Sequence, residues 1–247
     1  MILDRTFLEK NYPNLASLNI LKLQDNYITD IKSDTFHGLT NLQIIRLENN
    51  RILEIPEDAF RGLKSLKSLW LSSNQLTELP SNIFKDLTSL AVLKLDNNRL
   101  KSLDENLFKH LASLKSLIIS HNELTNLKAF IFSELNSIQS IILNSNYISL
   151  IHPNTFSSGL SNLESISLDD NQIIDIHPDT FRNLPRLKSL WLNSNLISSI
   201  HTDTFKDLSR LESIWLHINH IESIHPETFR GNLDFEIYLF LFVEKNV

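Results

Sequence analysis

A pattern of period 24 runs through the chain and constrains its fold more than any other feature. Leu18-x-x-Leu21-x-Leu23-x-x-Asn26-x-Ile28-x-x-Ile31, followed by Phe36 and Leu39, recurs with first positions at Leu42, Leu66, Leu90, Leu114, Ile138, Leu163, Leu187 and Leu211. Every spacing is 24 residues except the 25 between Ile138 and Leu163, where Ser157-Ser158-Gly159 holds one extra residue. A period of this length means stacked units, because no single unit can bury its Leu/Ile face alone. Leu21-Lys22-Leu23 alternates inward and outward, the period of a strand, and the rest of each unit is too short for a long helix. One short strand per coil is therefore expected, the strands pairing in parallel about 4.8 Å apart to line a curved inner face.

Two further columns fix the register. Asn26, Asn50, Asn74, Asn98, Asn122, Asn146, Asn171, Asn195 and Asn219 all fall at the ninth position of their repeats. Asparagine carries donors and an acceptor, so a buried column of them can satisfy backbone groups where the chain turns. Phe36, Phe60, Phe84, Phe108, Phe132, Phe156, Phe181, Phe205 and Phe229 form a second column, expected to fill the wider convex side.

The motif L-x-x-L-x-L-x-x-N-x-L, matched from roughly Leu15 to Leu233, resembles the leucine-rich repeat family. Its 24-residue form with the Phe column resembles the subclass found in extracellular animal proteins such as Toll-like receptors and Slit. The resemblance implies an α/β leucine-rich repeat solenoid, a horseshoe with a parallel sheet on the concave face and short turns or irregular segments on the convex face. It also implies a non-catalytic protein-binding module of a receptor, adhesion or secreted recognition protein, extracellular or at the cell surface, whose partner is a protein ligand or co-receptor. The alternative is an intracellular scaffold or non-catalytic regulatory subunit.

The repeats divide the chain into a partial, irregular N-terminal repeat (1–17), nine repeats (18–232) and a degenerate C-terminal repeat (233–247). Phe7 and Tyr12-Pro13-Asn14-Leu15 read as the tail of an earlier repeat, with an irregular stretch at Leu8-Glu9-Lys10-Asn11. At the other end, Leu233 to Leu241 loses the Asn and puts Glu236 where a core Leu belongs. The uncharged, β-prone run Ile237 to Val243 beyond it is an aggregation hazard if it forms an open edge. Neither end carries the polar cap that a stack needs, so the chain is expected to be a piece of a longer protein.

Composition narrows the function. A hydrophobic fraction of 42% supports a packed core, and 23 Lys+Arg against 29 Asp+Glu leave a charge of −6, which argues against a nucleic-acid partner. Zero Cys excludes a disulfide framework, a thiolate zinc site and a cysteine nucleophile. With 4 Gly there is no phosphate-cradling loop, and no cofactor is expected. Met1 to Thr6 does not open a signal peptide, no N-x-[ST] sequon occurs, and the longest apolar run, Ile237 to Val243, is far short of the roughly 20 residues that span a bilayer.

Candidate chemistry is sparse. His152, His177, His201 and His225 stack in adjacent coils, with Asp179, Asp203 and Glu227 two residues beyond the last three, a spacing that permits zinc. The favoured reading is a duplicated His-Pro turn, since a repeat copies surface residues along with its core, and no metal or catalytic residue is assigned. The same ladder has imidazoles near enough for their charges to repel on acidification. Ser68, Ser116, Ser140, Ser165, Ser189 and Ser213, which precede the strand cores, lack an adjacent base and act as small spacers.

The best binding candidate is the outward column between the two strand Leu/Ile positions: Lys22, Arg46, Trp70, Lys94, Ile118, Ile142, Ser167, Trp191 and Trp215. It holds all three Trp of the chain, and tryptophan on a concave surface is the residue type of interface anchors. Trp191, Trp215 and Trp70 are expected to act as anchors, flanked by Ile118, Ile142, Lys94, Asp169, His217 and Ile218, with an apolar strip on the C-terminal half. The bland alternative is that these tryptophans pack over the Ser ladder and only stabilise neighbouring strands. Lys22, Arg46 and Lys94 make a basic strip in the N-terminal half, and Asp96, Asp169 and Asp170 place acid at strand ends.

Overall fold

A computed structural model describes residues 1–229 and the backbone of 236–238. Ten parallel strands form one sheet in chain order: Ile20–Lys22, Ile44–Arg46, Ser68–Trp70, Val92–Lys94, Ser116–Ile118, Ser140–Ile142, Ser165–Ser167, Ser189–Trp191, Ser213–Trp215 and Glu236–Tyr238. The register is that of the repeat, so Leu21 pairs with Ile45, Ile45 with Leu69 and so on to Ile214. In each coil the central strand residue and the Leu or Ile two residues later are buried, joining a single core that runs from Leu3 to Ile221.

The strands stay short because the chain turns out of the ladder at a fixed point. The residue before the column Asn has positive φ in every coil: Asp25, Asn49, Ser73, Asn97, His121, Ser145, Asp170, Ser194 and Ile218 lie between 52° and 58°. Short polar side chains tolerate this left-handed conformation, which all of these but His121 and Ile218 provide. The Asn column then ties coil to coil. Asn74 Nδ2 donates to Leu47 O of the preceding coil at 3.0 Å and to its own Leu71 O at 3.1 Å, while its Oδ1 accepts from Ile52 N at 3.0 Å. Asn50, Asn98, Asn122, Asn146, Asn171, Asn195 and Asn219 repeat this arrangement. On the convex side the Phe column stacks: Phe36 on Phe60, and Phe108 through Phe132, Phe156, Phe181 and Phe205 to Phe229, with centroids 5.7 to 6.3 Å apart.

Three features differ from the sequence expectation. The stretch Leu8-Glu9-Lys10-Asn11 is not irregular but ends a helix, Arg5–Asn11. Asp4 caps it by accepting from Phe7 N at 2.8 Å, Arg5 pairs with Glu9 one turn on, and Leu8 turns into the core. Several coils have a second, two-residue strand where the chain leaves the Asn turn still extended: Ile2–Leu3 pairs with Asp30–Ile31, and Asn126–Leu127 with Leu150–Ile151. At the C-terminal end, Glu236 pairs with Ser213 and Ile237 with Ile214, so Glu236 takes the register of the Ser column rather than that of a core Leu. The remainder of the run Ile237 to Val243, beyond Tyr238, lies outside the described residues.

Candidate functional site

Strand alternation projects the expected binding column onto the concave face, and the register makes it continuous: Arg46, Trp70, Lys94, Ile118, Ile142, Ser167, Trp191 and Trp215 are successive cross-strand partners. Trp191 and Trp215 stack with ring centroids 4.6 Å apart and planes 7° from parallel. The pair's faces therefore point along the column, one face of Trp191 against Trp215 and the other toward Ser167. Ile118 and Ile142 continue the strip, and both tryptophans and both isoleucines are half-buried rather than fully exposed, because each is shielded by its column neighbours.

Trp70 does not join this cluster. It lies five strands from Trp191, roughly 24 Å away at the usual strand spacing. Arg46 covers one face of its ring at 4.7 Å and Lys94 the other at 4.4 Å. Arg46 is itself held by Glu48, its Nε donating to Oε1 at 2.6 Å. The N-terminal tryptophan is thus already sandwiched by cations, and Lys94 serves it rather than the Trp191–Trp215 pair.

Beside the pair lies a shallow depression of about 280 Å3, lined by Ile142, Asn144, Ser167, Asp169 and Trp191. Its floor is Ser167, the smallest side chain in the column, which donates to Asp169 Oδ1 at 2.6 Å. Asp169 Oδ2 has no hydrogen-bond or ion-pair partner among the described residues, whereas the corresponding Asp96 accepts from Ser72 at 2.6 Å and from Asn97 at 2.9 Å. At the turn ending the Trp215 strand, His217 is half-buried and Ile218 is 60% exposed at φ 55°. A β-branched residue there is a conformational outlier, and strained residues concentrate at functional sites. Asn144 is the lining residue that sequence reasoning missed, and Ser167, although counted in the column, was not singled out as a contact. The signal for Ser167 was present as the one small residue in a column of large ones.

The family model for the leucine rich repeat matches residues 16–76, 64–124, 112–173, 136–197, 161–221 and 185–234. The chain belongs to the leucine-rich repeat family. No curated protein matches it in sequence. Among solved structures, this leucine-rich repeat array is similar to the crystal structure of a TLR13–ssRNA13 complex, with a TM-score of 0.83, 27% identity, and coverage of 96% of this chain and 34% of the other. It is also similar to the Toll–Spatzle complex of Drosophila, with a TM-score of 0.71, 25% identity, and coverage of 85% of this chain and 33% of the other. The chain spans about a third of the length of each of these neighbours.

The histidine ladder of the array is part of its turns. His152, His177, His201 and His225 each accept through Nδ1 from the backbone N–H two residues on, at 3.0 to 3.2 Å. Each imidazole caps the convex segment that its following residue begins. Among the described residues no group of three or more His, Cys, Asp or Glu is placed to hold a metal, and no helix is long and apolar enough to cross a membrane.

Proposed function

We propose that this array is a non-catalytic recognition module that binds a protein partner through the C-terminal half of its concave face, as part of an extracellular or lumenal receptor, adhesion or secreted protein. The observation carrying this reading is the stacked Trp191–Trp215 pair standing beside an open depression, flat aromatic area of the kind that anchors interfaces. Ile142 and Asp169 line the depression, Ile118 extends the apolar strip, and His217 and Ile218 follow the Trp215 strand at its turn. Trp70 contributes less than the other two because its faces are covered from within. Similarity to Toll-type structures supports a receptor context, and one of those neighbours was solved with RNA. For this chain a net charge of −6 and the Asp169 carboxylate on the binding face, whose Oδ2 has no partner among the described residues, favour a protein over a nucleic acid.

The test compares the wild-type chain with Trp191→Ala/Trp215→Ala, both shown folded by circular dichroism, as baits for secreted and cytosolic proteins of the source. A protein held by the wild type and lost from the double variant supports the reading. Equal retention by both refutes it. The absence of Cys supports the second reading, an intracellular scaffold, and a partner recovered only from the cytosolic fraction would decide for it.

A further inference from the structure

The concave column contains its own precedent for what fills the depression. In the N-terminal half, Arg46 occupies the outward position of its strand, Glu48 lies two residues on, and Trp70 is the cross-strand partner. The guanidinium stacks on Trp70 at 4.7 Å while its Nε is held by Glu48 at 2.6 Å. In the C-terminal half the same three positions hold Ser167, Asp169 and Trp191. The carboxylate and the indole are present. The cation between them is replaced by a serine hydroxyl, and the space it vacates is the depression of about 280 Å3.

We propose that this vacancy is a socket for an arginine side chain supplied by the protein partner. The proposal rests on the concave-face reading above and names the chemistry recognised there. The guanidinium stacks on the face of Trp191 turned away from Trp215, and Asp169 Oδ2, which has no partner among the described residues, accepts its N–H groups. The aliphatic stem lies against Ile142. Arginine fits better than lysine because its planar head stacks on an aromatic face and presents a fork of donors to a carboxylate at once. Trp215 backs Trp191 and keeps its ring across the column, so the stacking surface exists before the partner arrives. Trp70 offers no such vacancy, being covered on both faces, and Asp96 in its half of the column is bonded through both oxygens.

The experiment titrates the whole chain with N-acetyl-L-arginine amide, its neutral isostere N-acetyl-L-citrulline amide, and N-acetyl-L-leucine amide, following the Trp191 indole N–H and the Ile142 methyls by NMR. The arginine amide is expected to shift both signals saturably and at least about tenfold more tightly than citrulline amide, a gap of about 1.4 kcal/mol. Asp169→Asn should abolish the gap. Ser167→Arg, which rebuilds the Arg46 arrangement in place, should fold normally and block the arginine amide. Equal binding of citrulline amide, undiminished binding to Ser167→Arg, or no shift with the arginine amide overturns the proposal. Preferential binding of leucine amide also overturns it, yet leaves the concave face as the partner surface. Arginine-amide binding alongside a partner indifferent to Trp191→Ala/Trp215→Ala refutes the earlier reading and the partner as the source of the arginine, whereas a partner lost from that variant without any arginine-amide binding refutes the socket alone.

Discussion

Asn122 lies midway along the stack, 5% exposed, and its removal tests whether the Asn column holds the coils together through its donors or its acceptor. Its Nδ2 donates to Leu95 O at 3.0 Å, Ile119 O at 3.2 Å and Ser120 O at 3.1 Å, and its Oδ1 accepts from Leu100 N at 3.0 Å. Counting four bonds at about 1 kcal/mol each would give about 4 kcal/mol for Asn122→Ala. The neighbouring asparagines change that sum. Leu95 O also receives Asn98 Nδ2, and Ile119 O also receives Asn146 Nδ2, so both carbonyls keep a partner. The group left bare is Leu100 N–H, and an orphaned buried donor costs about 1–3 kcal/mol. Asn122→Ala should therefore cost about 2–3 kcal/mol once a little lost packing is added.

Asn122→Asp keeps an acceptor for Leu100 N–H but aims a buried anion at three carbonyl oxygens, so it should cost more than Ala. Asn26, at the exposed N-terminal end, donates only to Leu23 O and Gln24 O of its own coil, and Asn26→Ala should cost less than about 1 kcal/mol. Urea unfolding followed by circular dichroism reads all three. Equal losses for Asn26→Ala and Asn122→Ala, or an Asp variant milder than the Ala variant, would refute the account of shared carbonyls and a single orphaned donor.

Phe108→Ala, at a fully buried member of the convex stack, should lower stability by about 3–5 kcal/mol in the same assay. Gly159→Ala should be far more damaging than Gly38→Ala: both sites have φ +75°, but a Cβ at Gly159 would collide with the Ser133 carbonyl oxygen, whereas at Gly38 it meets nothing, and thermal melts should separate them. Ile218→Asn should raise stability by about 1 kcal/mol by relieving its left-handed backbone, and weaken partner binding if the exposed Ile is held there for contact. Glu164 is held below the usual glutamate range by the hydrogen bond and charge of Lys188. That contribution is therefore present above the unfolded-state pKa and lost as pH falls through the folded one, and Lys188→Met should raise the Glu164 titration midpoint measured by NMR.

The stack was legible in the sequence because the columns that build it are physical periodicities. Buried Leu at alternating positions dictates a strand, and Asn every 24 residues dictates a turn with satisfied carbonyls. The helix Arg5–Asn11 was not legible, since it lies outside the repeat and depends on the cap from Asp4, a one-off contact with no period to reveal it. Glu236 was misplaced for a related reason: one residue of register slip moves a side chain to the other face, and the column Asn that would anchor the count is missing there.

The site was legible only as a column, not as a shape. Sequence spacing brings Trp191 and Trp215 to adjacent strands, but the parallel stacking of their rings, which leaves one indole face toward Ser167, is a rotameric outcome that no periodicity encodes. Likewise Trp70 reads as the equal of the other two until Arg46 and Lys94 are seen over its faces. What a repeat does offer is a set of internal controls, since each coil presents the same positions with different side chains. Where one coil keeps the indole and the carboxylate and drops the cation, the other shows what is missing. In a solenoid, departures from the internal pattern that leave the core intact are therefore the places to look for recognition, and Ser167 and Ile218 are two such departures in the C-terminal half of the array.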